Sequence, residues 1–462
     1  MEQTTAKKNK YEIDMCNGTI MDKLISFSLP LMLSGILQLM FNAVDIIVVG
    51  RFSGSQALAA VGSTSALINV FTNLFIGISL GANVLTARFY AAGREKEVSE
   101  TVHTAITLAL VSGIVMALVG LVFSKGALAL MGTPDDVIGL SALYMRIYFL
   151  GMPFFMLYNY GAAILRAVGD TKRPLLFLMI AGVINACLNM VLVIVFKLGV
   201  AGVAIATVIS QMISCVLVLR CLCRSESSYR LRFSELGMKG YYLKQIFSVG
   251  VPAGIQSTVI NFSNVLLQSS VNSFGSTAMA GYTAANNLLG FLYVSVNSIT
   301  QACMSFTSQN YGVGKLKRMD RVLADCMILS VVVAVVLGLI FFFIVTEILE
   351  IYTEDAEVIA CGMEILAYTT ITYFLCGWMD LFPGALRGMG YSAVPMVLSV
   401  IGTVGTRVVW IFGIFPYHRS LAILFISYPA SWIITIVLQI ICFYFVRRRV
   451  HRRSQTLAGQ EG

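Results

Sequence analysis

The sequence carries little charge for its length. Only 12% of its 462 residues are Asp, Glu, Lys or Arg, whereas 58% are hydrophobic, and the mean hydropathy is +0.83. A soluble domain covers its surface with many more charges, while helices surrounded by lipid do not need them. Single segments show the same scarcity of charge; residues 52–87, for example, contain no charged residue. The composition therefore excludes an ordinary soluble domain and predicts an all-α membrane protein.

Catalytic motifs are absent as well. The three histidines, His103, His418 and His451, are scattered, and the sequence contains no HExxH, GxSxG or P-loop. HExxH is typical of zinc proteases, GxSxG of serine hydrolases and the P-loop of ATPases. We therefore expect neither an enzyme nor an ATP-driven pump, and no cofactor.

The ten cysteines show no disulfide pattern. Most of them, such as Cys187, Cys215 and Cys303, lie inside apolar runs without a His or Cys cluster nearby. Small apolar core residues explain them better than metal ligands. Residues 1–20 also lack the apolar stretch and cleavage site of a signal peptide, so the first hydrophobic segment is expected to be a retained helix.

Twelve hydrophobic segments are long enough to cross a bilayer as helices, because about 20 residues suffice for a span. They cover residues 24–50, 58–85, 102–124, 138–160, 174–196, 199–219, 245–271, 278–305, 322–346, 358–383, 393–415 and 421–446.

The net charge of +9 comes from Lys and Arg residues whose distribution predicts the orientation of these spans. If the N-terminus is inside, almost all Lys and Arg fall in inner loops and tails, and the outer loops keep only Arg51, Lys125, Lys197 and Arg419. This asymmetry is the positive-inside rule. It predicts a multi-pass protein of the cell membrane, typical of a bacterial inner membrane, with both termini cytoplasmic. The lipid bilayer, and not nucleic acid, is the expected partner of the basic residues.

The chain contains an internal duplication. Pro30 aligns with Pro252, and ILRAVGDTKRP (164–174) aligns with ALRGMGYSAVP (385–395), which places Arg166 on Arg387. Each copy holds six spans, an even number, so the two copies have the same orientation. We predict a parallel repeat of two six-helix lobes. The predicted segments are a cytoplasmic segment 1–23, an N-lobe 24–224, a cytoplasmic linker 225–244, a C-lobe 245–446 and a basic tail 447–462.

The first span carries one charged residue, Asp45. Gln38, Asn42 and Asp45 share a helical face because they are spaced by four and three residues. An acid inside a membrane helix is costly and usually functional. The alternative is a structural carboxylate that bonds to neighbouring hydroxyl or amide groups. We take Asp45 as a candidate cation site, and Gln38 and Asn42 as candidates for lining a polar cavity.

The equivalent helix of the second copy keeps the polar stripe without the acid. Asn261, Asn264 and Gln268 lie on one face, but Leu267 stands where Asp45 would fall. Among the charged residues within C-lobe spans, we single out Asp380 and Arg407. They form a candidate C-lobe site, although their calculated depths differ, so direct pairing would need a tilted or broken helix.

Several segments together resemble the multidrug and toxic compound extrusion (MATE) family. They are FNAVDIIVVGRFSGSQALAAVGS (41–63), ARFYAAG (87–93), ILRAVGDTKRP (164–174) and GVAGVAIATVISQ (199–211). The likeness covers nearly the whole chain, and its specificity comes from the order and spacing of the segments. It implies a cation-coupled antiporter that exports organic cations or other amphipathic compounds.

The resemblance also implies a cation site in the N-lobe. Asp45 matches a functional carboxylate of the family, and Asn185, Asn189 and Thr207 match its partners in spans five and six. Asn189 departs from the family pattern, which has Asp there. Asn can ligate a cation through its carbonyl oxygen but cannot titrate. The coupling ion, H⁺ or Na⁺, therefore stays open, with a Na⁺ at Asp45 as the one metal that we consider.

Three functions are considered from these observations. The first is multidrug export by alternating access, exchanging small organic substrates for H⁺ or Na⁺ in a monomer. The second is a lipid-linked oligosaccharide flippase of the same superfamily, which would often have more spans. The third is a membrane receptor or sensor, for which the sequence offers no signalling extension.

Overall fold

A computed structural model describes residues 10–352 and 355–458 of the chain. The described residues form helices, turns and loops, and no β-strand occurs among them. Residues 1–9 of the predicted N-terminal segment and 459–462 of the predicted tail lie outside this part. The predicted all-α class is confirmed.

Seven α-helices form in the first half of the chain, each over apolar sequence. They are α1 (Met21–Phe52), α2 (Ser55–Ala91), α3 (Glu95–Leu130), α4 (Asp135–Leu150), α5 (Met152–Ala167), α6 (Lys172–Asn189) and α7 (Gly199–Cys223). A π-helical segment, Met190–Val195, continues α6, and a short 3₁₀ turn, Phe233–Glu235, lies in the linker.

The second half repeats this order. It contains α8 (Gly240–Asn272), α9 (Ser276–Gly312), α10 (Leu316–Tyr352), α11 (Ala356–Thr370), α12 (Tyr373–Gly388), α13 (Ala393–Ser399), α14 (Thr406–Val409) and α15 (Leu421–Ala458). Two π-helical segments, Val400–Gly405 and Trp410–Ile414, flank α14.

The number of membrane-crossing helices can be compared with the twelve predicted spans. By length and composition, 8 helices of the described chain can cross a membrane, or up to 10 if two bent pairs each count as one span. The pairs are α4 with α5 and α11 with α12, and each bends by 47°. The two predicted spans not in this set coincide with α8 and α9, which carry several Asn and Gln side chains. Their crossing stays a prediction.

The bends have a local cause in the first half. Gly151 separates α4 from α5, and Pro153 follows in the first turn of α5, where it lacks a backbone donor. A Cβ built on Gly113 of α3 would lie 2.5 Å from the Cα of Pro153. The glycine therefore lets α3 cover the bend at close range.

The chain divides into two compact units. Unit 1 contains Leu33–Gly254 with the described part of Met1–Asp14, and unit 2 contains Met15–Met32 with the described part of Ile255–Gly462. The boundaries fall inside α1 and α8, so each of these helices supplies residues to both units. The predicted lobe limits follow the sequence repeat and stay a prediction.

Small residues allow close helix packing in unit 1. A Cβ on Gly81 of α2 would lie 2.1 Å from the carbonyl oxygen of Ile246 in α8. Helices in membranes associate through such contacts because lipid provides no hydrophobic drive between them. The backbone at this crossing leaves no room for a side chain.

Aromatic rings pack the core of unit 2. Phe425 of α15 stacks on Tyr282 of α9 and on Tyr428, with centroid distances of 5.9 and 6.1 Å. Trp432 meets Tyr373 of α12 edge to face at 5.6 Å. These pairs hold α9, α12 and α15 together.

Gly81→Ala is expected to lower the free energy of unfolding by about 1–3 kcal/mol, because its methyl group must displace backbone atoms. The measurement is thermal unfolding of the purified protein in detergent. Gly126→Ala in α3 is the matched control, since a Cβ there meets nothing within 4 Å. It should be neutral or stabilising by roughly 0.5–1 kcal/mol through helix propensity. Equal effects of the two substitutions would contradict the close crossing.

Candidate functional site

The polar face of α1 presents Asp45 to the interior of unit 1. Asp45 is partly buried, while Gln38 and Asn42, on the same face, are exposed. A partly buried carboxylate inside a helix that can cross a membrane needs hydrogen-bond donors from its neighbours.

Asn189 supplies such a donor. It is fully buried and is the last residue of α6 before the π-helical segment Met190–Val195. Its Nδ2 donates to Oδ1 of Asp45 and also to Oδ1 of Asn185, at 3.1 Å for the latter. Wide π turns of this kind often occur at functional sites. Asp45, Asn185 and Asn189, which the family resemblance placed in one site, thus form one hydrogen-bonded cluster.

The fourth residue, Thr207, lies nearby on α7. Its hydroxyl is close enough to interact with Asp45 and donates to the carbonyl of Val203 at 3.0 Å. Oδ1 of Asn189 is buried and has no partner in the described chain. The cluster therefore offers carboxylate, amide and hydroxyl oxygens, the donor atoms that hard cations prefer.

Asp45 is the only acidic member of this cluster. No group of three or more His, Cys, Asp or Glu residues that could hold a metal ion occurs within residues 10–352 and 355–458. The cluster can therefore bind or release one proton, or hold one monovalent cation, against a single negative charge.

Two tyrosines beside Asp45 were missed by sequence reasoning. Tyr144 and Tyr148 of α4 stack with their centroids 6.1 Å apart, and both lie within electrostatic range of Asp45. The available signal was their spacing of four residues, which places both on one helical face. Nearby, a Cβ on Gly182 would lie 1.8 Å from the ring of Phe41, so α6 approaches α1 closely.

Asp380 lies in a separate environment in unit 2. It is partly buried on α12, and the opposite charge that acts on it is Arg387, two helical turns further on. Arg387 is buried and donates through Nη2 to Oε1 of Gln256 at 2.7 Å. No ion pair within 4 Å joins Asp380 to a basic group among the described residues.

Arg407 does not pair with Asp380. Its Nη1 donates to Oδ1 of Asn264 at 2.8 Å and to Oγ of Ser263 at 3.3 Å. Its Cζ lies 4.5 Å from the ring centroid of Tyr428, a cation–π contact. The two charges that the sequence grouped as one candidate site thus belong to different networks. Of the predicted C-lobe stripe, Asn264 bonds to Arg407, while Asn261 and Gln268 are exposed.

The linker is fastened to α3 in unit 1. The backbone N–H of Arg232 donates to Nε2 of the buried His103 at 3.0 Å, and Lys239 forms an ion pair with Glu100. A cavity of about 550 Å³ lies between the linker and α3. The hydrogen bond from Arg232 holds the pKa of Glu235 below its usual range. A backbone hydrogen bond and an ion pair thus attach the linker to α3.

A double-mutant cycle tests the central contact. Asn189→Leu removes the donor to Asp45, and Asp45→Leu removes the acceptor. Because the hydrogen bond involves a charged group, the two changes should be non-additive by about 1–3 kcal/mol in unfolding free energy, measured thermally in detergent. Additive effects would mean that the two side chains do not interact.

Known proteins provide an independent comparison. The model of the MatE family matches residues 30–191 and 252–412, so it matches once in each copy of the repeat. A probable multidrug resistance protein, YoeA of Bacillus subtilis, is 31% identical over 92% of this chain and 93% of its own length. The multidrug export protein MepA of Staphylococcus aureus is 22% identical over 82% of this chain and 84% of its own.

Solved structures share the fold. One, described as the outward-facing conformation of a multidrug resistance MATE family transporter of the MOP superfamily, superposes with a TM-score of 0.87. It covers 97% of this chain and 100% of that chain at 19% identity. The predicted duplication and the predicted family are confirmed: the chain belongs to the MatE family of multidrug efflux transporters.

Proposed function

We propose that this transporter is a secondary active antiporter of the cell membrane. It exports organic cations or amphipathic drugs in exchange for H⁺ or Na⁺ by alternating access, as a monomer with both termini cytoplasmic. The observation that carries the proposal is the hydrogen-bonded cluster of Asp45, Asn189 and Asn185 inside helices that can cross a membrane.

The cluster suits exchange because its net charge is small and changes by one unit. When a cation or proton neutralises Asp45, the site becomes neutral, and a cationic substrate loses its attraction to the carboxylate. When the ion leaves, the negative charge returns and attracts the substrate. Opposite preferences of one carboxylate for ion and substrate are sufficient to couple their movements.

Protons are favoured over Na⁺ by the orientation of Asn189. Its Nδ2, and not its unpartnered Oδ1, faces Asp45, so a Na⁺ bound at this carboxylate would have to turn the amide to gain that oxygen as a ligand. A proton can bind the second carboxylate oxygen without that rearrangement.

The alternatives have weaker support. A flippase for lipid-linked oligosaccharides belongs to the same superfamily, but the relatives named above are described as multidrug proteins. A receptor or sensor would not require a duplicated set of helices, and the relatives give it no support. An enzyme has no motif to support it.

Asp45→Asn is expected to abolish coupled transport, because the isosteric amide cannot carry a charge. The measurement is efflux of a fluorescent organic cation from proteoliposomes under an imposed proton gradient and, separately, an imposed Na⁺ gradient. The matched control is Asp136→Asn, the same change at an exposed position at the start of α4. The control should keep wild-type rates. Full coupled efflux by Asp45→Asn would overturn the proposal.

Asn189→Asp is expected to increase the number of cations exchanged per substrate by about one. Two neighbouring carboxylates repel unless a second proton or cation binds between them. The ratio follows from reversal measurements, in which substrate and ion gradients are balanced until net flux stops. An unchanged ratio in a folded, active variant would show that position 189 does not take part in ion binding.

A further inference from the structure

Arg407 is a buried positive charge that the proposed cation exchange does not use. Only 3% of its surface is exposed. It lies on the four-residue helix α14, between the π-helical segments Val400–Gly405 and Trp410–Ile414. The helix continues within a stretch apolar enough to cross a membrane. A guanidinium in such a place is expensive to keep and calls for a counter-charge.

The described residues supply no counter-charge in direct contact with Arg407. Arg407 bonds to Asn264 and Ser263, both neutral, and no acidic side chain forms an ion pair with it in the described part of the chain. Asp380 is influenced by Arg387 instead. The charge of Arg407 is therefore not neutralised by an ion pair with any residue described.

One edge of the guanidinium makes no hydrogen bond among the residues described. Nη1 makes both hydrogen bonds, while Nε is shielded from water and has no partner among the residues described. The edge formed by Nε and Nη2 is one that binds both oxygens of a carboxylate through parallel hydrogen bonds.

Aromatic side chains border this guanidinium. Tyr428 lies beneath it at 4.5 Å, and the hydroxyls of Tyr428 and Tyr282 are 3.5 Å apart. Phe425 stacks on both rings. A flat aromatic molecule that carries an anionic group matches both the rings and the charge.

Polar side chains of α8 surround the residue that binds Arg407. Asn264, which bonds to the guanidinium, is partly exposed, and Asn261 and Gln268 on the same helical face are exposed. Exposed amides are unfavourable against lipid and favourable against water. The face of α8 that holds the buried charge thus also carries exposed polar side chains.

The repeat allows the charges at equivalent positions of the two copies to be compared. In the register that places Arg166 on Arg387, Arg407 falls on Ala186, directly beside Asn185 of the Asp45 cluster. Conversely, Leu267 stands where Asp45 would fall. Equivalent regions of the two copies therefore carry opposite charges, negative in unit 1 and positive in unit 2.

We propose that Arg407 is the residue that binds the carboxylate of those transported aromatic molecules that carry one. Nε and Nη2 hold the two oxygens, and Asn264 and Ser263 fix the guanidinium through Nη1. The inference rests on the proposed export function for the origin of the ligand, but not on the identity of the coupling ion.

The test is binding of two matched dyes to the purified transporter in detergent, measured by fluorescence anisotropy. Rhodamine 110 carries a free carboxyl group, and rhodamine 123 is its methyl ester. Arg407→Gln should weaken binding of rhodamine 110 by about tenfold or more, because a charge-assisted bidentate contact is lost. Binding of rhodamine 123 should change by less than about twofold, which also reports that the variant is folded. Arg407→Lys, which keeps the charge without the fork, should lie between wild type and Arg407→Gln.

Two comparisons make the result specific. Arg146→Gln, which removes an exposed arginine of α4, should leave both dyes unaffected. Asp45→Asn should retain the dependence of rhodamine 110 binding on Arg407, because the carboxyl group of the dye contacts Arg407 and binding in detergent needs no ion gradient. A failure of coupling is therefore distinguishable from a failure of this inference.

Three results would overturn the inference. They are equal weakening of both dyes by Arg407→Gln, no weakening of either dye, and loss of the difference between the dyes when chloride at physiological concentration replaces gluconate. The last result would identify a site for an inorganic anion instead.

Discussion

A carboxylate inside a membrane helix must find hydrogen-bond donors, because lipid offers none and the loss of water is costly. Asp45 meets this requirement through Asn189, which is itself held by Asn185. The contact needs α6 close to α1, and Gly182 permits this by leaving room for the ring of Phe41. The hydrogen bond to Asp45 therefore depends on the close packing of α6 against α1 and on the position of Asn189 at the end of α6.

The two copies of the repeat share a scaffold and differ in their charges. Both contain a leading helix with an internal proline and a helix pair bent by 47°. The acid occurs in the first copy, while a buried arginine bonded to neutral groups occurs in the second. A duplicated fold can thus keep its packing while each half acquires a different electrostatic role.

The sequence predicted the helices well because hydropathy and length decide them. It also predicted that Asp45 belongs with Asn185 and Asn189, but only through the family resemblance, since the residues are far apart in the chain. The contact of Arg407 with Asn264 was not predicted. Two π-helical segments flank α14, and each changes the direction of the following side chains relative to a regular helix. An estimate of depth at a constant rise per residue contains no information on these rotations.

The bend between α4 and α5 was also unexpected, since the predicted span 138–160 is continuous. Each helix has 16 residues, which gives roughly 24 Å of length at about 1.5 Å per residue. Joined at 47°, the pair is about 4 Å shorter from end to end than a straight helix of the same length would be.

Counted as one membrane span, the pair would match a different thickness of bilayer if this joint straightened or tightened. Mismatch carries a modest energy for each ångström, so the lipid composition of the host membrane becomes a physical variable acting on this transporter. The equal bend between α11 and α12 gives the second copy of the repeat the same sensitivity.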